Sequence, residues 1–167
     1  MPNRMLQEIK QTKPFTSLQQ EAALNVIRTA DALKRSMELL LKGHGITSAQ
    51  YNVLRILRGA GAEGLHCRGI AERMITAEPD VTRLLMRMER LGLLVRRRGG
   101  GDRRIVTATV TKQGLKLLHE VDAPLRNLQR QQFALLSHDQ MAGLISALEK
   151  TRESMLKAAT DQHRSRG

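Results

Sequence analysis

Residues Val81–Thr111 read VTRLLMRMERLGLLVRRRGGGDRRIVTATVT, and this stretch decides the fold. Its first part has apolar residues at helical spacing and arginines on the opposite side, which predicts an amphipathic helix that ends at Gly92. Two short apolar runs follow, at 93–95 and 105–110, and between them RRRGGGDRR places five arginines around three glycines. Because the second run is rich in β-branched residues, we expect a β-hairpin with a basic tip.

A second short helix is predicted just before this stretch, over residues 67–74. The connection at 75–77 is brief, and Pro79 suits the first turn of the following helix. Two short helices joined by a tight connection, the second of them basic on its outer side, predict a helix-turn-helix, with the hairpin as its wing.

Longer helical patterns lie on both sides of this region. Val26, Ala30, Leu33, Met37 and Leu40 share one helix face, which ends at Gly43 and Gly45. The spacing Thr-x-x-Gln at 47–50 and Ser-x-x-Gln at 137–140 predicts two capping boxes. We expect Thr111 to cap another long helix, in which Pro124 produces a kink.

The predicted fold is mainly α: a winged helix-turn-helix with a two-stranded β wing, flanked by long N- and C-terminal helices that form a dimerisation region. Their apolar faces exceed what one small winged domain can cover, so we expect a homodimer with two DNA-binding units. The predicted segments are a mobile N-terminal arm (1–16), an N-terminal dimerisation helix (17–46), the winged helix-turn-helix (47–111), C-terminal dimerisation helices (112–160) and a frayed tail (161–167).

Composition indicates the kind of partner. The formal net charge of +12 favours an anionic partner, most often nucleic acid. Since aromatic residues are scarce and single-strand binding uses aromatic stacking, double-stranded DNA is expected. The basic residues cluster at a hairpin rather than along one amphipathic helix, and no apolar run suits a membrane span, so no membrane partner is expected.

The sequence shows no motif of an enzyme active site. We find no P-loop, no nucleophile with a base and no histidine pair at ligand spacing, so neither an enzyme, nor a cofactor, nor a metal site is expected. The single cysteine, Cys67, is expected to pack at a helix start, and a redox sensor is the alternative role. One cysteine without a disulfide partner agrees with a reducing, cytoplasmic location.

The order of elements and the wing motif resemble the MarR family of winged helix-turn-helix transcriptional regulators. In the wing, Asp102-x-Arg104, five residues and then Val110-Thr111 match the family motif, and residues 81–97 resemble its recognition helix and first wing strand. Met86 departs from the family, where an acidic residue is common. The resemblance spans about residues 20–160.

DNA-contact residues are expected on the second helix and the wing. Thr82 and Arg83 lie near the helix N-terminus that faces bases, where Arg83 suits a bidentate contact to guanine; Arg87 and Arg90 suit phosphates or solvent. The resemblance implies a wing arginine in the minor groove and an aspartate that orients it. These roles fall on Arg103 or Arg104 and on Asp102, with Arg96, Arg97 and Arg98 as backbone clamps.

The resemblance also implies a regulator, a repressor in our interpretation, that responds to a small phenolic or aromatic anion between the dimer helices and the winged domain. His44, Tyr51, Arg55 and His66 are the candidate pocket residues, although ordinary interfacial packing is the favoured role for Tyr51 and Arg55. The alternative function is sequence-independent, architectural DNA binding, for which charge alone suffices.

Overall fold

The computed structural model describes residues 4–98 and 106–164, with the backbone alone for Arg98 and for residues 162–164. Within these ranges the helices are α1 (Arg4–Glu8), α2 (Leu18–Gly43), α3 (Ser48–Ala60), α4 (Cys67–Ala71), α5 (Val81–Arg90), α6 (Lys112–Gln132) and α7 (His138–Arg164). The strands are β1 (Leu65–His66), β2 (Leu94–Arg98) and β3 (Val106–Val110). The chain divides into two units, residues 1–126 and 127–167.

Local hydrogen bonds explain where the first long helices begin. The Ser17 hydroxyl accepts the backbone N–H of Gln20 at the start of α2. At the start of α3, Thr47 and Gln50 form both bonds of a capping box, so the prediction from Thr-x-x-Gln is confirmed.

The predicted pair of short helices is present as α4 and α5. After Ala71, α4 unwinds through turns in which the N–H groups of Glu72, Arg73 and Met74 still donate to carbonyls three or four residues earlier. The N-cap of α5 is Asp80, whose carboxylate accepts the N–H of Arg83 at 2.8 Å. Pro79 therefore precedes the cap, and its predicted place in the first turn was wrong. The Asp80 side chain takes the N-cap role because it satisfies an otherwise free N–H.

The predicted hairpin is confirmed in its two strands. β2 pairs with β3 antiparallel, with Arg96 opposite Ala108 and Arg98 opposite Val106. The hairpin tip, residues 99–105, lies outside the described residues. A third strand, β1, pairs with the other side of β3, giving the order β1-β3-β2. The sequence predicts only the two strands of the wing, because β1 has no local strand pattern.

A single apolar core lies within the unit of residues 1–126. It joins α2 and α3 to α4, α5, the sheet and α6, and its most buried side chains are Leu41, Val53, Leu54, Leu57, Ile70, Leu84, Met88, Leu94, Leu118 and Val121. Thr111 caps α6 by accepting the N–H of Gly114, as predicted, and its own hydroxyl donates to the Gly92 carbonyl. This pair of bonds fixes the wing's exit to the end of α5.

The segment predicted to be an N-terminal arm contains helix α1. Met5 is buried, and the Glu8 carboxylate accepts hydrogen bonds from Arg4 and from Arg28 of α2. These contacts attach α1 to α2, so residues 4–8 have a defined structure. The mobility expected for residues 1–16 stays a prediction.

The unit of residues 127–167 holds the last turns of α6 and all of α7. Ser137 and Gln140 form the predicted capping box through reciprocal bonds at 2.9 and 3.2 Å. In α7, none of the described side chains, residues 138–161, is buried. α6 continues through Pro124, and the kink expected there stays a prediction. Among the described residues, no helix combines the length and apolarity needed to cross a bilayer.

Candidate nucleic-acid interface

Helix α5 separates an apolar face from a cationic one. Val81, Leu84, Leu85 and Met88 are buried against the core. The opposite face exposes polar and basic side chains with one methionine: Thr82, Arg83, Met86, Arg87 and Arg90. Since the buried face fixes the rotation of the helix about its axis, the exposed face is the one available to a ligand.

Arg83, the predicted base contact, has an open position on α5. Its side chain is 75% exposed, and its Nε lies 3.7 Å from Asp80 Oδ2. A contact this long between exposed groups stabilises the fold little. The guanidinium is therefore free to bind elsewhere without cost to the fold.

Helix α4 supports the first turn of α5. Cys67 Sγ lies 3.3 Å from Thr82 Oγ1, so the thiol and the hydroxyl share a hydrogen bond. Both residues line a cleft of about 340 Å³ together with His66, Arg68, Leu85 and Arg96. The packing role expected for Cys67 at a helix start agrees with this contact. Among the described residues, no cluster of histidine, cysteine and carboxylate side chains could hold a metal ion.

The strands of the wing lie directly beside α5. Arg97 is exposed on β2, as a backbone clamp requires. The side chain of Arg98 and the whole of Asp102, Arg103 and Arg104 lie outside the described residues. The structure therefore supports a place for the wing next to α5, while the roles of its tip residues remain predictions.

Arg96 has a protein partner that its sequence pattern does not predict. Its Nε and one terminal nitrogen each lie 2.8 Å from Glu89 Oε2, and its backbone N–H donates to Glu89 Oε1 at 2.9 Å. The hydrogen bond from the Arg96 side chain is the main cause that lowers the pKa of Glu89 below its ordinary value. Arg96 thus links β2 to α5, which differs from the phosphate clamp expected for it.

Of the four residues predicted to form an effector pocket, Tyr51 and Arg55 lie close enough on α3 to interact, whereas His44 and His66 line different clefts. His44 lines a cleft of about 370 Å³ with residues of α6, whereas His66 lines the separate cleft beside Cys67. Arg55 donates to Asn52 within α3.

Tyr51 lies close to an ion pair between α3 and α6. Arg58 and Asp122 are 2.8 Å apart in this pair. Burial raises the pKa of Tyr51, Asp122 raises it further, and Arg58 and Arg55 lower it in part. The phenol is therefore kept neutral at the junction of two helices.

Comparisons with known proteins agree with this geometry. Residues 44–105 match the MarR family. The chain is 31% identical to an uncharacterised HTH-type transcriptional regulator, YkoM, of Bacillus subtilis (strain 168), over 81% of this chain and 90% of that protein. It is 27% identical to the homoprotocatechuate degradative operon repressor of Escherichia coli, over 75% of this chain and 83% of that protein.

A solved structure supports the same assignment. The MarR transcription factor from Planctomyces limnophilus is 38% identical, with a TM-score of 0.64, over 81% of this chain and 98% of that one. Family membership explains the helix-turn-helix, the wing and these matches together. The chain belongs to the MarR family and is a DNA-binding transcriptional regulator rather than an enzyme.

Proposed function

We propose that this protein is a cytoplasmic repressor that binds a pseudo-palindromic operator as a homodimer and is released from DNA by a small phenolic or aromatic anion. The observation that carries the proposal is the outward face of α5, which presents Thr82, Arg83 and Arg87 beside the β2–β3 wing. A helix of this kind suits the major groove, where each base pair has a distinct pattern of donors and acceptors.

Base reading is assigned to the first turn of α5. Arg83 is exposed and Asp80 fixes the backbone beneath it, so its guanidinium is suited to a bidentate contact with guanine. Arg87, one turn later, and Arg97 on β2 are suited to phosphates. Arg98, Asp102, Arg103 and Arg104 keep their proposed wing roles on the strength of the family resemblance.

The homodimer is supported by apolar surface on the long helices. In α2, a helix of 26 residues, only Leu41 is buried, while Leu18, Val26 and Ile27 are 46–77% exposed. In α7, Leu144, Ile145, Met155 and Leu156 are 39–70% exposed. Apolar side chains exposed along whole helices gain stability by packing against a second copy. Twofold symmetry would then place two α5 helices about one turn of DNA apart, ~34–36 Å.

An effector is supported by the name of one relative, the repressor of a homoprotocatechuate degradative operon. For this chain we propose an aromatic anion near Tyr51 and Arg55, since a phenol and a guanidinium suit its ring and its charge. The proposed pocket does not include His44 and His66, because these residues line separate clefts.

Binding to DNA upstream of its own gene, compared with a scrambled duplex at physiological salt, tests the central claim. A sequence-specific regulator should prefer the upstream fragment by ~10³-fold or more. Equal affinities would refute the proposal and favour an architectural protein.

Arg83→Ala should weaken specific binding by ~1–3 kcal/mol if the arginine reads a base. Arg35→Ala is the matched control, because Arg35 on α2 is also exposed, at 67%, and is paired with Asp31. Both variants lose one positive charge. Equal losses would mean that charge alone, rather than the position of Arg83, determines binding.

Sedimentation analysis tests the homodimer: a monomer at the concentrations that bind DNA would refute it. Homoprotocatechuate is a suitable first probe for release. An effector site at Tyr51 predicts that Tyr51→Phe or Arg55→Ala raises the concentration needed for release, without changing DNA affinity in its absence. No change for either variant across a panel of phenolic acids would place the effector elsewhere.

A further inference from the structure

The contact between Glu89 and Arg96 joins the two elements proposed to bind DNA. Glu89 is in the last turn of α5, and Arg96 is the central residue of β2. The carboxylate accepts two hydrogen bonds from this one residue, from the backbone N–H at 2.9 Å and from Nε at 2.8 Å, and a terminal guanidinium nitrogen adds an ion-pair contact at 2.8 Å. Contacts to both the backbone and the side chain define the distance and the orientation of the pair.

The backbone bond is explained by the topology of the sheet. β2 is an edge strand in the order β1-β3-β2, so N–H groups on its outer side have no strand partner within the described sheet. The Glu89 carboxylate accepts one of them, where a neighbouring strand would otherwise supply a carbonyl. The end of α5 thus takes the place of a fourth strand at this position.

The surroundings of the pair are suited to a stable link. The two side chains are only 25% and 35% exposed, in contrast to the exposed pairs along α2 and α4. Charge-assisted hydrogen bonds that are partly shielded from water are stronger than exposed ion pairs.

We propose that Glu89 is a positioning residue for sequence-specific DNA binding: it fixes the wing relative to α5 through Arg96, and neither side chain contacts DNA. This inference rests on the proposed function, because it assumes that α5 and the wing bind one duplex together. A helix in the major groove and a wing beside it bind the same site only if their separation is preserved.

The sign of the effect separates positioning from electrostatics. Glu89→Ala removes a negative charge near the proposed interface and so raises the net charge by one above +12. Charge alone therefore predicts tighter binding to any duplex. Positioning predicts the opposite for the specific site: a loss of roughly tenfold, similar to the loss of one base-pair contact, with unchanged or higher affinity for scrambled DNA.

Glu72→Ala is the matched control. Glu72 pairs with Arg68 at 2.9 Å, and both side chains are exposed, so the variant makes the same charge change and frees one arginine without separating α5 from β2. We expect it to bind as well as the wild type or slightly better. Circular dichroism establishes that each variant is folded, and Glu89→Gln, which keeps an acceptor for the backbone N–H, should show a smaller loss.

Arg96→Ala tests whether the arginine acts through Glu89. We expect a loss in the same direction as for Glu89→Ala but smaller, because the backbone N–H of residue 96 keeps its acceptor. The double variant should bind no more weakly than Glu89→Ala alone, and the slope of log K against log[salt] should be unchanged. A phosphate contact by Arg96 would instead lower the magnitude of that slope by about 0.9 and make the double variant weaker than either single one. That result would overturn the assignment of Arg96.

The two variants distinguish a failure of the positioning role of Glu89 from a failure of the proposed function. If Arg83→Ala weakens specific binding but Glu89→Ala does not, the positioning role is wrong while the proposed function stands. If Arg83→Ala has no effect on the ratio of specific to non-specific affinity, the assignment of α5 as the DNA-reading helix is wrong, and the role of Glu89 falls with it.

Discussion

Gly64 and Gly61 provide a matched pair for measuring how tightly β1 is held against the wing. Both glycines have positive φ, +65° and +66°, with ψ near −163° and −149°. This backbone region is almost restricted to glycine, and a different residue costs ~1–3 kcal/mol there. A change to alanine therefore carries the same backbone cost at both positions.

Only Gly64 adds a steric cost. A Cβ at Gly64 would overlap the carbonyl oxygen of Ala108 and lie 2.5 Å from Thr109 Cγ2, whereas a Cβ at Gly61 meets nothing within 4 Å. Overpacking of this kind costs a further ~1–3 kcal/mol, because β1 must move away from β3. We expect Gly61→Ala to lower the free energy of unfolding by ~1–3 kcal/mol and Gly64→Ala by ~2–6 kcal/mol.

Urea unfolding followed by circular dichroism, at one fixed protein concentration, measures both losses. The difference between the variants is the quantity of interest, since the backbone cost cancels. Equal losses would show that the close approach of residue 64 to β3 does not constrain the sheet.

Three further predictions concern single side chains. Tyr51 is the only tyrosine and the chain has no tryptophan, so a phenolate absorbance titration should give a midpoint above 10.0, and Asp122→Asn should lower it. The lowered pKa of Glu89 stabilises the fold above the carboxyl's ordinary value of 4.5. The stability gap between wild type and Glu89→Gln should therefore close as the pH falls through the folded-state pKa, as measured by urea unfolding from pH 7 to 3. Thr47→Ala should cost ~1 kcal/mol in thermal melts and Thr47→Ser much less, because serine restores the cap; equal losses would contradict the capping role.

The parts of the fold that sequence predicted are those with a local signal. The stripe of α5 predicted its buried face correctly at Val81, Leu84, Leu85 and Met88, since helical periodicity depends on that segment alone. Leu91 was assigned to the same stripe but is 52% exposed, because it lies past the last turn of the helix.

Elements that depend on distant partners were missed. β1 has two residues, Leu65 and His66, and no periodic pattern; it is a strand only because β3 lies beside it. The contact of Glu89 with Arg96 crosses the turn at Gly92, and a charge pattern cannot show which of several neighbouring arginines a carboxylate binds. The scattered positions of His44 and His66 have the same cause, since residues far apart in sequence share a cleft only when the fold brings them together.

The carboxylates around α5 indicate how a very basic protein gains specificity. Asp80 caps the first turn and Glu89 binds β2 from the last turn, so a carboxylate holds each end of this helix in place. Between them, residues 81–88 carry no carboxylate, and Met86 is exposed on the outward face. A net charge of +12 attracts any duplex, but attraction alone does not distinguish sequences. In the function proposed here, Arg83 meets one base pair while the wing meets its own groove, and the bonds of Asp80 to the first turn and of Glu89 to Arg96 would set that geometry.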